Sequence, residues 1–159
     1  MIRNANQNDF EFIKSLYFYP DINPYLLYEM SEIEHFEAIF QQLIVNQILY
    51  VFEDEGIMKG MFKLGPFQHR TSHIVYLGGV AVAPMHAGKG LGATMLLEIL
   101  EFAKTKSYRR IELSTATFNK KAIHLYEKIG FVQEGVMRNY TFLKSENRYI
   151  DEVLMSCLI

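Results

Sequence analysis

The sequence predicts an α/β fold: a mixed sheet of about seven strands with helices on both faces. Three observations carry this. The stretch Val80 to Ala103 reads as a short apolar strand, a glycine cluster and then a helix. A further apolar strand, Arg109 to Ala116, follows that helix. A strand reached from another strand through a helix lies parallel to it. Flanking this unit are two pairs of runs joined by short polar turns, which read as antiparallel pairs.

The elements follow in order. Met1 to Ala5 is a short opening strand. Asn6 caps a helix, with Asp9 at the third helical position and Phe10, Ile13, Leu16 and Tyr17 as its apolar stripe. Pro20 and Pro24 end that helix and form a loop crowded with Tyr17, Phe18, Tyr19, Tyr25 and Tyr28. Ser31-Glu32-Ile33-Glu34 is a capping box, so a second helix starts at Glu32 and runs to about Asn46, with Ile33, Phe36, Ile39, Phe40 and Leu43 inward. Carboxylates near that start complement the helix dipole. Ile48 to Glu53 and Ile57 to Leu64 form a hairpin around Asp54-Glu55-Gly56. His73 to Val82 is the next strand. Gly78-Gly79 inside it weakens pairing and marks a bulge or a close backbone approach.

The glycine-loop helix has Leu91, Met95, Ile99 and Phe102 on one face and Glu98, Glu101 and Lys104 on the other. Asn119 to Ile129 is the last helix, ended by Gly130. Ala122, Ile123, Tyr126 and Ile129 share one face of it, and Lys120 and Lys121 belong to the solvated face. Phe131 to Leu143 and Arg148 to Ile159 close the chain as an antiparallel pair about the turn Lys144-Ser145-Glu146-Asn147.

The chain has 159 residues, 50% of them hydrophobic, which is enough for one domain with a real core. No composition shift, repeat or linker divides it, so residues 1–159 read as a single domain. A formal charge of −2 argues against nucleic-acid binding by bulk charge. The one cysteine, Cys157, sits in an apolar stretch and reads as a small buried hydrophobe. With no disulfide and no apolar run approaching a membrane span, the expectation is a soluble, cytoplasmic protein. No His, Cys or carboxylate spacing suggests a metal.

The glycine loop narrows the chemistry. Strand, glycines and helix N-terminus aim several backbone N–H groups at one spot, which suits a phosphate. A Walker loop fails here, because Ala83 stands where its first glycine belongs and Gly90 follows Lys89. Gly88 to Ala93 satisfies the dinucleotide fingerprint, but Ala83 to Ala87 separate it from the strand. Ala87-Gly88-Lys89-Gly90-Leu91-Gly92 resembles the pyrophosphate loop of the GNAT superfamily of N-acetyltransferases, Q/R-x-x-G-x-G/A, except that Ala87 replaces the first residue. Asn119 to Phe131 resembles that family's second signature, N-x-x-A-x-x-L-Y-x-K-x-G-F, and follows in the right order.

The resemblance covers nearly the whole chain and implies a sheet splayed in its middle, where Gly78-Gly79 fits the parting. It implies that acetyl-CoA binds through Ala87, Gly88, Lys89, Gly90, Leu91, Gly92 and Ala93 around the pyrophosphate. Val80, Ala81 and Val82 would pair with the pantetheine arm, with Asn119 bonding to it and Ala122 nearby. The N–H of Val82 would stabilise the oxyanion. Tyr126 would protonate the departing thiolate, since a phenol of pKa about 10 can donate to a thiolate whose acid lies near 8.5.

The base is less plain. Some relatives carry a glutamate where this chain has Tyr76, and ribosomal-protein alanine acetyltransferases carry one where it has Ser114. With no carboxylate at either, ordered water relayed by Tyr76 or Ser114 to solvent would take the proton. Glu112 shares the Ser114 face but lies deeper in the strand. The acceptor is expected to be a primary amine, on a small molecule or a peptide. It would be presented from Pro20 to Ile39, where Tyr28, Glu29 and Glu32 lie and an acidic rim would attract a cation. The closing segment, Glu134 to Arg138 through Tyr149 to Asp151, resembles the branch of spermidine and ribosomal-protein N-terminal acetyltransferases. That branch leaves polyamine, peptide N-terminus and small amine open. The oligomeric state, a homodimer included, also stays open. A chain that binds acyl-CoA only as a sensor is the alternative. Ala87 and the missing carboxylates favour it, and an intact Tyr126 opposes it.

Overall fold

A computed structural model describes residues 1–30 and 35–159. The expected capping box at Ser31 to Glu34, Glu32 included, lies outside the described residues. The strands are β1 (Ile2–Asn4), β2 (Leu49–Asp54), β3 (Ile57–Pro66), β4 (Ile74–Val82), β5 (Arg110–Ala116), β6 (Val132–Leu143) and β7 (Arg148–Leu158). The helices are α1 (Phe10–Tyr17), α2 (Phe36–Val45), α3 (Leu91–Thr105) and α4 (Lys120–Ile129). One seven-stranded mixed sheet has the order β1-β2-β3-β4-β5-β7-β6. The chain groups into two compact units, Met1–Gly65 with Leu77–Ile99, and Pro66–Tyr76 with Leu100–Ile159.

In the first unit, local chemistry sets the boundaries. The Asn6 side chain accepts from the Asn8 N–H at 2.9 Å, and Asp9 accepts from the Asn6 N–H at 2.7 Å, so Asn6 is the expected cap. It caps a single 3₁₀ turn, Gln7–Asp9, which leads into α1. Ile13, Leu16 and Tyr17 of α1 pack with Phe36, Phe40 and Leu43 of α2 onto Met61 and Ala81 of the sheet. Neighbouring strand residues face opposite ways. Gly60, beside Met61, accordingly faces Met95 of α3. Helices therefore cover both faces of these strands. The β2–β3 turn carries Glu55 and Gly56 at φ 53° and 74°, the left-handed pair a tight hairpin requires.

The second unit is built on β5, β7 and β6. β7 pairs antiparallel with both neighbours, from Arg110↔Leu158 to Ala116↔Glu152 on one side and from Val132↔Ser156 to Leu143↔Arg148 on the other. Asn119 caps α4 by accepting from the Ala122 N–H at 3.4 Å, and Gly130 ends it at φ 114°. Cys157 is free and buried, and burial pushes its thiol up despite Lys104. The parallel ladder joins Ile74–Tyr76 to Arg110–Glu112 for three residue pairs. It ends there although β4 continues to Val82 and β5 to Ala116.

The buried face of α3 is wider than its stripe suggests. Leu96, Leu100 and Ala103 join Met95 and Ile99 inside, while Phe102 is half-buried. Among the described residues no helix is long and apolar enough to cross a membrane.

Candidate active site

The glycine loop belongs to the first unit. β4 ends at Val82, and the Ala83 N–H donates to the Lys59 carbonyl at 2.8 Å, which ties the strand end to β3. One 3₁₀ turn, Pro84–His86, spaces the loop from the strand. Ala87 to Gly90 are exposed. Gly88 and Gly90 have φ of 78° and 76°, and a Cβ at either would meet nothing within 4 Å. These glycines serve the backbone path and leave open space beside it. The hydrogen-bond ladder of α3 starts with the Ala93 and Thr94 N–H groups, which donate to the Gly90 carbonyl at 3.0 and 3.2 Å. The N–H groups of Leu91 and Gly92 are not consumed by it. No acidic residue occupies the first turn of α3. An exposed, uncrowded helix N-terminus without a carboxylate fits a pyrophosphate. At its edge the His86 Nε2 is buried without a partner.

Two features here escaped the sequence reading. A Cβ on Gly60 would lie 2.7 Å from the Ala81 carbonyl oxygen, so this glycine lets β3 press against the end of β4. A single glycine in a strand body carries no sign of that. The second feature is Lys63. Its Nζ lies 5.3 Å from the Tyr28 ring, and a Cβ on Gly79 would come within 3.0 Å of its Cε. Gly79 has φ 59°, and the close neighbour there is the Lys63 side chain. Burial pushes the Lys63 ammonium below its ordinary range. Tyr28 is held by Asn23, whose Nδ2 donates to the Tyr17 and Tyr28 carbonyls at 2.8 and 2.9 Å. The expected acidic rim therefore has a lysine beside its tyrosine. Glu29 is half-buried and partnered. A groove of about 590 Å³ between α1 and α2 is lined by Phe10, Lys14, His35, Phe36 and Gln41 and includes neither Tyr28 nor Lys63.

The second unit holds the titratable cluster. Tyr126 sits on α4 with its ring 5.7 Å from that of Phe131. Burial pushes its phenol up to about 12, and the charge of Tyr76 adds to this. Tyr126 therefore carries a proton throughout the neutral range. The Tyr76 hydroxyl lies 2.7 Å from Ser114 Oγ. Ser114 in turn donates to Glu152 Oε2 at 2.5 Å, and Thr141 donates to Glu152 Oε1. Burial raises the Tyr76 phenol, the Ser114 bond partly offsets this, and Glu152 and Tyr140 raise it further.

Tyr76 and Ser114, singled out separately in the sequence, are thus joined. Their chain ends on a carboxylate rather than on solvent. That carboxylate was missed because it lies on β7, which the sheet order sets against β5. Ser114 is opposite Leu154, and Glu152 is two residues along on the same face. Glu112 is engaged by Arg110 at 2.8 Å. Asn119 spends its side chain on the Ala122 N–H and on Thr115 Oγ1, the latter at 3.1 Å.

The family model described as "Acetyltransferase (GNAT) family" matches residues 8–131. The chain belongs to that family. It is an acyltransferase that uses acetyl-CoA to N-acetylate an amine. Among its relatives, the spermidine N(1)-acetyltransferase of Vibrio cholerae is 29% identical over 157 residues, covering 94% of this chain and 87% of that one. An L-amino acid N-acetyltransferase of Escherichia coli is 25% identical over 98% of this chain and 96% of its own length. The crystal structure of the Vibrio cholerae spermidine N-acetyltransferase with CoA and spermine superposes with a TM-score of 0.79 at 26% identity, covering 99% of this chain and 94% of that one.

Proposed function

We propose that this protein transfers the acetyl group of acetyl-CoA directly to a primary amine in a ternary complex, with no covalent enzyme intermediate. The observation that carries this reading is the open loop Ala87–Gly92, whose left-handed glycines lead from β4 into the N-terminus of α3. In this assignment the N–H groups of the loop hold the pyrophosphate, and Val80 to Val82 and Ala122 bind the pantetheine arm. The Val82 N–H stabilises the thioester oxygen as it gains charge. The amine nitrogen attacks the carbonyl carbon, the C–S bond breaks, Tyr126 gives its proton to the leaving sulfur, and the proton that the nitrogen sheds on becoming an amide restores the phenol.

Burial pushes the Tyr126 phenol up to about 12, so the proton is in place at neutral pH. Asn119 bears on the site by capping α4 and so fixing the turn that carries Ala122 and Tyr126. The acceptor approaches along the segment containing Tyr28 and Glu29. Spermidine and L-amino acids, named for the two relatives above, bracket the acceptor class.

Two measurements test the reading. Calorimetry should show CoA binding and no NAD binding; NAD binding without CoA heat overturns the cofactor assignment. A thiol-release screen with acetyl-CoA against polyamines, amino acids and peptide N-termini should find amines that turn over. Turnover only of hydroxyl or thiol acceptors overturns the amine assignment. CoA binding with no turnover of any amine would return the chain to the sensor reading.

A further inference from the structure

We propose that Glu152 is the proton sink of the reaction, taking the acceptor amine's proton through Ser114 and Tyr76. The proposal rests on the acetyl-transfer reading above and names the base which that reading leaves open.

The direction of the chain follows from counting protons. A serine hydroxyl has one hydrogen to donate. Ser114 donates it to Glu152 Oε2, so across the 2.7 Å contact Ser114 is the acceptor and Tyr76 the donor. The Tyr76 oxygen then keeps its lone pairs for a donor from outside the chain, and an ammonium is such a donor. When a proton moves from the amine nitrogen to the Tyr76 oxygen, the N–H bond breaks and an O–H bond forms. The proton Tyr76 already carried passes to Ser114 Oγ, and the proton Ser114 carried passes to Glu152 Oε2. The amine has lost one proton and Glu152 has gained one, while Tyr76 and Ser114 end as they began. The neutral amine can then attack the thioester.

The surroundings suit this role. Glu152 is held by the hydroxyls of Ser114 and Thr141. Glu152 and Tyr140 from β6 raise the Tyr76 phenol, and Tyr76 in turn raises Tyr126 of α4. Burial and the charge of Glu152 keep the Tyr76 phenol protonated, so it passes a proton on without ionising. The asymmetric pairing of β7 sets the geometry. Glu152 pairs with Ala116 on β5 and with Met137 on β6, and the register of β6 shifts between Met137 and Thr141, which brings the Thr141 hydroxyl to Glu152 Oε1.

The test is the pH dependence of kcat/KM for wild type, Glu152→Gln, Tyr76→Phe, Ser114→Ala and Ser114→Thr. It uses an amine found in the acceptor screen, with CoA affinity and thermal unfolding measured on each variant. Glu152→Gln is expected to lower kcat at neutral pH by about 10²-fold. Its kcat/KM should then rise roughly tenfold per pH unit toward the amine's own pKa, because only already neutral amine reacts. Tyr76→Phe and Ser114→Ala should show the same profile, Ser114→Thr should restore the wild-type one, and CoA affinity should stay unchanged throughout.

Tyr76→Phe combined with Glu152→Gln should be no slower than the worse single variant, because each breaks the same relay. A Glu152→Gln protein that keeps the wild-type profile overturns the relay and leaves acetyl transfer standing, as do Tyr76 and Glu152 effects that multiply. A wild type that binds CoA and acetylates no amine overturns both. If Glu152→Gln does not fold, the Ser114→Ala and Ser114→Thr pair decides on the same readout.

Discussion

Two polar networks in this molecule use similar groups to opposite effect. In the first unit Arg3 bonds Asp9 through both terminal nitrogens, at 2.7 and 2.8 Å, and reaches Glu53 through Nε at 2.8 Å. In the second unit Glu152 accepts from two neutral hydroxyls, those of Ser114 and Thr141. Burial pushes the Asp9 carboxyl up, but the Arg3 bond, the Asn6 N–H and the Arg3 charge outweigh it, and the net shift is downward. A carboxylate gripped by a guanidinium is committed to holding its charge, and it pins β1 to the start of α1. Hydroxyls that donate to a carboxylate can themselves pass a proton along to it. The first arrangement serves stability and the second serves turnover.

The sharpest break in this comparison is on the turnover side. Tyr126→Phe should lower kcat by about 10²–10⁴-fold with CoA affinity near wild type. Steady-state kinetics beside calorimetry checks this, and an unchanged kcat would make Tyr126 a packing residue. The wild-type phenol, raised to about 12, should contribute no alkaline loss of activity below that pH.

On the stability side, Asp9→Asn should cost about 3 kcal/mol, because it leaves the Arg3 charge short of a partner and weakens the Asn6 cap. Denaturant unfolding measures it. The pH dependence has a definite sign. Asp9 is depressed below its ordinary 3.8 in the folded chain, so its contribution is present above about pH 3.8 and is lost as pH falls through the lower folded value. Asp9→Asn should remove that acid-side slope and leave kcat within about twofold, which thermal scans and an activity assay would show.

Gly60→Ala should cost about 2 kcal/mol, since the Ala81 carbonyl at 2.7 Å belongs to backbone and cannot rotate away. If Val82 is the oxyanion donor, kcat should fall along with stability, because the same strand end must move. A stability loss with unchanged kcat would remove Val82 from that role.

The smallest effect concerns Lys63. Its ammonium is pushed below the ordinary 10.5 by burial, so stability should rise as pH climbs from the folded value toward 10.5. Lys63→Met should flatten that rise and add less than about 1 kcal/mol at neutral pH, read by denaturant unfolding at several pH values.

The elements and most of their ends were legible in the sequence. Asn6 with Asp9, the Glu55-Gly56 turn, Asn119 and Gly130 each act on backbone within a few residues, so the same chemistry governs them in a peptide and in the fold. The glycine loop was legible for the same reason: left-handed glycines before an apolar-striped helix carry their meaning locally. Tyr76 and Ser114 were visible as residues without a partner. The partner was not, because nothing near Glu152 in the chain marks it.

By itself the sequence determined the strand–loop–helix unit, the parallel strand after it and the tyrosine on the last helix, all through turn chemistry and periodicity that act over short separations. Tertiary structure decided that β7 lies between β5 and β6, that Glu152 thereby meets Ser114, and that Gly60 and Gly79 face crowded neighbours. Strand order and close approach depend on pairing energies between segments far apart in the chain. Those energies take effect only when the segments meet.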